Sequence, residues 1–272
     1  MLLSRPRRAR EILTTGLAAL FLAVLLAGSL DLAHALMVAG ALGGGLAFGV
    51  FSLRTGWGVL ARSAAALAVT LVALALWASI RGIGWPQIDS AFQTFLASGY
   101  RTFQELTTDP ALKERIRETV ELRVPTIARL FPGFLSLAAL AGMALAAAWH
   151  HRLAAEPRGS PPARFRDFRF NDHLIWGAIF TLALTLAPLP PDGRTLAANL
   201  LVIWAGLYAA RGLAVVVAVM ARAPLLFRLL VVIPALVAGV LTAAACLAIG
   251  LADTWLDFRR RLMPPEPQGV SS

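Results

Sequence analysis

Trp204, Tyr208 and Arg211 are spaced i, i+4 and i+7, which sets them on one face of a helix. Two aromatic rings with polar handles beside a cation suit an anionic or planar ligand, through charge pairing and cation–π contact. Asn199 lies nearer the outer end of the same run, roughly 120° off that stripe. The run, residues 195–220, is apolar almost throughout and long enough to cross a bilayer. Arg211 falls near its middle, roughly 13 Å inside at about 1.5 Å per residue, too deep for easy snorkelling. An ionisable group at that depth costs at least about 2.5–3.5 kcal/mol on insertion scales, so Arg211 is expected to face protein or water rather than lipid. Three alternatives stay open: a ligand contact, a structural role on carbonyls of a broken helix or an acid such as Asp253, and a helix that ends near Ala210.

Other reactive groups give weaker patterns. His150, His151 and His173 lack the cysteine or acid that would complete a recognisable metal spacing, so no metal is assigned. Asp253 and Asp257 are four apart on one helical face. Asp257 and Arg261 form an i, i+4 pair suited to an interfacial turn, and this ion-pair role is preferred to a proton relay. No Ser/His/Asp order, nucleophile elbow or His-Glu-x-x-His occurs, so neither catalytic residues nor a cofactor are assigned and a non-enzyme is expected.

The elements that would position these groups are membrane helices. The chain of 272 residues is 58% hydrophobic and 15% charged, with a mean hydropathy of +0.71. Soluble domains carry about 25% charged residues, so this is an all-α, polytopic transmembrane helix bundle. Its length suits about seven spans. A lone cysteine, Cys246, excludes an internal disulfide. The formal charge of +10 comes almost wholly from arginines in interhelical links, where it sets topology and does not bind nucleic acid.

Expected spans cover residues 12–30, 32–51, 59–80, 131–149, 173–188, 195–220 and 229–252. The first follows Arg5, Arg7, Arg8 and Arg10. Ala33-His34-Ala35 resembles a leader-peptidase site, but the apolar run of about 19 residues exceeds the usual leader core, and a retained helix is expected. The second span holds two small-xxx-small pairs, Gly40/Gly44 and Gly45/Gly49, expected to pack helices closely. They are not a phosphate loop, since no strand precedes them and no Lys-Ser/Thr follows.

Residues 81–130 form the long polar loop between spans three and four. Ile88, Phe92, Phe95, Leu96, Gly99, Phe103 and Leu106 share one helical stripe. Asp109-Pro110 reads as an N-cap and first residue of a second helix, with Leu112, Ile116, Val120, Val124 and Ile127 as its stripe, broken at Pro125. These two amphipathic helices are expected outside the cytoplasm, on the membrane surface, on the bundle or on a partner. Pro234 interrupts the last run, which is either one span or two half-helices. With seven spans, the N-terminus, the links after spans two, four and six and the near end of span three at Arg62 hold thirteen arginines and define the cytoplasmic face. A single integral domain over 1–262 with a disordered tail at 263–272 follows.

The C-terminal half carries Phe165-Arg166-Asp167-Phe168-Arg169-Phe170, Leu174-Ile175-Trp176, Asn199, Arg211-Gly212-Leu213-Ala214-Val215 and Gly250-Leu251-Ala252-Asp253-Thr254-Trp255-Leu256-Asp257-Phe258-Arg259 in this order. This is similar to the YybS-like family (domain of unknown function 2232) of predicted bacterial membrane proteins, over roughly residues 35–262. Gly250, Asp253, Trp255, Asp257 and Arg259 form the most specific part of the likeness. Relatives carry Gln at the position of Arg211 and begin with one or two additional helices. The resemblance implies a helical bundle loosely grouped with substrate-binding S-components of energy-coupling-factor transporters. Two functions are therefore expected in order: a non-enzymatic accessory or scaffold subunit of a membrane complex, embedded in lipid and contacting other membrane subunits, and alternatively a transporter-like subunit binding a small solute. The expected location is the bacterial inner membrane with the N-terminus cytoplasmic.

Overall fold

The computed structural model describes residues 30–54, 56–154, 161–221, 223–258 and 261, preceded by residues 16, 18–21 and 23. Most of the expected first span, and with it the leader question, lies outside the described residues, as do Arg259 and the tail at 263–272. The described residues form α1 (Leu32–Arg54), α2 (Val59–Ile80), α3 (Trp85–Leu106), α4 (Pro110–Leu122), α5 (Val124–Leu153), α6 (Ile175–Leu186), α7 (Pro191–Met220), α8 (Leu225–Val237) and α9 (Gly239–Leu256), with single 3-10 turns at Phe165–Asp167 and Asp172–Leu174. No strand occurs among them, so the chain is an all-α membrane bundle.

Five of these helices, α1, α2, α5, α7 and α9, are long and apolar enough to cross a membrane. The sixth helix, extended back through its 3-10 turn, is a shorter apolar element. The last apolar run is two helices and not one, and the break falls at Ala238, one turn beyond Pro234. Pro234 itself stays inside α8, its carbonyl accepting from Ala238 N at 2.8 Å, and the chain restarts at Gly239.

The described residues cluster into two compact units. Met1–Pro162 with Pro188–Asn199 form one, and Ala163–Ala187 with Leu200–Ser272 form the other; the division falls inside α7.

In the first unit α1, α2 and α5 pack side by side, and the α3–α4 pair lies against α5. Ala33, Phe92 and Ala128 form its buried cluster, surrounded by Ile88, Phe95, Leu96 and Phe131. The Phe92 and Phe131 rings lie 5.0 Å apart. Thus the first half of the predicted α3 stripe covers the bundle. Its second half does not: Phe103 and Leu106 are 68% and 77% exposed beside a shallow apolar hollow of about 390 Å³ shared with Leu112 and Ile116. Asp109 caps α4 by accepting from Ala111 N at 2.9 Å, with Pro110 at the first helical position, which needs no amide hydrogen.

Two sequence-selected features take different roles here. Gly44 faces α5, where an added Cβ would lie 3.0 Å from Met143 Cε, and Gly40 faces Leu74 at 3.9 Å. Gly45 and Gly49 have nothing within 4 Å, so that pair marks no helix contact among the described residues. Asn199 braces a proline break. Pro132 sits inside α5, and the Asn199 side chain takes both ends of the adjacent rung. Its Oδ1 accepts from Gly133 N at 2.7 Å, while Nδ2 donates to the carbonyls of Arg129 at 2.7 Å and Thr195 at 2.9 Å.

Candidate functional site

In the second unit, Cys246, Gly250 and Asp253 recur at i, i+4 and i+7 on α9 and are all buried. The facing stripe of α7 is Tyr208, Arg211, Val215 and Ala218, also buried. The two backbones meet at two glycines. A Cβ on Gly212 would overlap the Cys246 carbonyl and lie 2.7 Å from Gly250 N, and a Cβ on Gly250 would overlap the Tyr208 carbonyl. Only glycine permits this approach, and it brings Arg211 within reach of the α9 terminus.

Arg211 and Asp253 are both fully buried at 0% exposure. Arg211 Nε donates to Asp253 Oδ2 at 2.9 Å, and Nη2 donates to the Asp253 carbonyl at 3.1 Å. Nη1 donates to Asp172 Oδ1 at 2.6 Å. Asp172 comes from the short segment before α6, where the Asn171 side chain accepts from His173 N at 3.0 Å and shapes the turn. Its side chain is 48% exposed, so this half of the cluster is solvated. The other oxygen of Asp253, Oδ1, accepts from Phe258 N at 3.1 Å. Burying ions costs several kcal/mol each, and only this degree of pairing and hydrogen bonding offsets it.

The Phe-rich segment ahead of α6 packs over the cluster. The Arg211 guanidinium carbon lies 5.4 Å from the Phe170 ring centroid, and the Phe170 ring meets Tyr208 edge-on at 5.1 Å. Phe170 continues to Phe168 at 6.0 Å and Phe168 to Phe165 at 6.3 Å. Trp204, one turn before Tyr208, packs against α6, its ring carbon 2.8 Å from where a Gly177 Cβ would stand.

The structure therefore gathers Trp204, Tyr208 and Arg211 in one seam, while Asn199 belongs to the other unit. Helix α7 begins at Pro191, so Arg211 is in its last third, and its partner Asp172 comes from the segment before α6. Asp253 faces this seam, whereas Asp257 ends α9 in the left-handed region at φ 43° and pairs with Arg169 at 3.5 Å. Trp255 points outward at 67% exposure. Sequence reasoning missed Asp172 and noted Phe170 and Gly212 only as part of the family likeness, without assigning them to the site. The Cys246-x-x-x-Gly250 spacing, a small-xxx-small pair opposite Gly212, is the signal that would have located the seam.

Chemically, one guanidinium between two carboxylates, one of them enclosed, is an ion-pair clasp joining three segments. Arg211 Nε, Nη1 and Nη2 each donate within it.

No curated protein and no solved structure matches the chain. The family model described as "Predicted membrane protein (DUF2232)" matches residues 1–254, in agreement with the YybS-like resemblance, and the chain belongs to that family.

Proposed function

We propose that this membrane protein is a non-enzymatic accessory or scaffold subunit of a membrane complex, seated in the bacterial inner membrane with its N-terminus on the cytoplasmic side. The observation that carries this reading is the Arg211 clasp. Arg211, the cation set beside Trp204 and Tyr208, is fully enclosed and bonded to Asp253 and Asp172. A solute-binding subunit related to S-components would use Arg211 from an open polar cavity, whereas here glycines close the seam. The apolar, exposed end of the α3–α4 pair supports a partner-facing role, since contiguous apolar surface outside the lipid marks interaction sites. The arginine-rich links support the orientation.

The test is purification of the full chain in mild detergent from its native host, followed by identification of co-purifying membrane proteins. A reproducible partner at constant ratio is expected. A monodisperse lone protein, or a small solute retained by the wild type and lost on Arg211→Gln, would overturn the proposal in favour of the transporter-like alternative.

A further inference from the structure

A second buried arginine lies in the first unit, and its environment is the reverse of Arg211's. Arg62, in the first turn of α2, is 5% exposed, and its Nε has no hydrogen-bond partner among the described residues. The Phe48 ring of α1 lies 5.9 Å from its guanidinium carbon. The adjacent Ser63 is 1% exposed, and its hydroxyl is likewise without a partner among the described residues. An enclosed guanidinium without a counter-ion among the described residues costs several kcal/mol, which an aromatic face offsets only in small part.

The register of the three-helix bundle gathers further groups here. Gly44 of α1 faces both Met143 of α5 and Thr70 of α2, so these three residues form one layer. Two turns along each helix from that layer stand Ser52 on α1, Ser63 on α2 and His150 on α5. The Ser52 hydroxyl is enclosed without a partner among the described residues, and His150 is 7% exposed. The same end contains the N-terminus of α2, where Gly58 supplies no side-chain cap, so its first amides have no side-chain acceptor from the cap residue. Neighbouring terminal turns add Arg54 on α1 and Arg152 on α5, and the first turn of α2 holds no acid.

Uncapped helical amides, a planar fork of guanidinium donors and a buried hydroxyl are the donor set that recognises a tetrahedral oxyanion. We propose that Arg62 and Ser63, at the N-terminus of α2, bind a phosphate group. Its source is either the headgroup of an anionic phospholipid or free inorganic phosphate, approaching from the exposed remainder of Arg62.

The test uses the full chain in mild detergent, probed with inorganic phosphate, phosphatidylglycerol and phosphatidylcholine. Native mass spectrometry counts retained lipid, and thermal unfolding reports protection. The wild type is expected to retain phosphatidylglycerol over phosphatidylcholine if the source is lipid, or to be protected by inorganic phosphate if it is free. Arg62→Gln is expected to weaken the response at least tenfold, with Ser63→Ala intermediate and Arg115→Gln, exposed on α4, unchanged. Should Arg62→Gln fail to fold, Arg62→Lys keeps the charge without the fork and is expected to bind about tenfold more weakly. A wild type that responds to neither probe overturns the proposal, as do Arg62 variants that respond like wild type.

Discussion

Replacing Asp253 by Asn removes one charge from the Arg211 clasp with almost no change in volume. Both groups are at 0% exposure and bonded at 2.9 Å, so water cannot take over as partner. Two unit charges about 4 Å apart interact by roughly 4 kcal/mol at an effective dielectric of about 20. Breaking a buried pair by removing one partner costs about 3–5 kcal/mol, because the other charge stays buried. Asp172 remains on Nη1, but it is half-exposed and compensates little. Asp253→Asn and Arg211→Gln are therefore each expected to lower stability by about 3 kcal/mol. The double variant should lose well under the sum, with a coupling of about 2 kcal/mol or more, since a neutral Gln–Asn pair replaces two orphaned charges. Equilibrium unfolding of the full chain in one detergent, followed by tryptophan fluorescence, gives the four values. Single variants within about 0.5 kcal/mol of the exposed control Asp192→Asn, or singles that simply add, would refute the account of the clasp.

Gly250→Ala and Gly212→Ala should each destabilise by about 3 kcal/mol or more, because the new Cβ meets main chain that cannot rotate away, whereas Gly45→Ala should be neutral or mildly stabilising; thermal unfolding separates them. Asn199→Ala should cost about 2–3 kcal/mol and speed amide exchange at Gly133, whose enclosed N–H loses its acceptor. Asp31 precedes α1, and its carboxylate accepts from His34 N at 2.9 Å, a bond that with the His34 ring holds its pKa below the ordinary 3.8. A depressed folded pKa contributes stability that is complete above 3.8 and fades as pH falls through the folded value. Amide exchange in the first turn of α1 should therefore accelerate below that pH in wild type and lose this dependence in Asp31→Asn.

Helix placement was largely legible because hydropathy and caps act locally. The expected and observed bounds of α2 agree at 59–80, and Asp109-Pro110 does start α4. Helix ends beyond the apolar runs were less legible: α5 and α7 each extend several residues outward, where polar residues such as Arg129 and Arg194 continue the backbone ladder. The break after α8 lies at Ala238, one turn past Pro234. A proline removes the bond of its own nitrogen and crowds the carbonyl one turn before it, so Pro234 did not mark the break. The seam was half legible. Spacing set Trp204, Tyr208 and Arg211 on one face, and Asp253 stood among the acids considered for Arg211. Asp172 lies 39 residues from Arg211 in the chain, and no periodicity connects a loop acid to a helical cation over that distance. Small-residue spacing alone was ambiguous, since Gly45/Gly49 meets open space while Gly212 and Gly250 bring two backbones together.

The clasp itself is tested most directly by magic-angle-spinning NMR of the full chain in lipid bilayers, measuring the dipolar coupling between Arg211 Nε and Asp253 Cγ. The 2.9 Å hydrogen bond sets that separation under about 4 Å, with a slowly exchanging Nε proton. A separation beyond about 6 Å, or an Nε proton exchanging as fast as those of solvent-exposed arginines, would contradict a closed, internally paired Arg211.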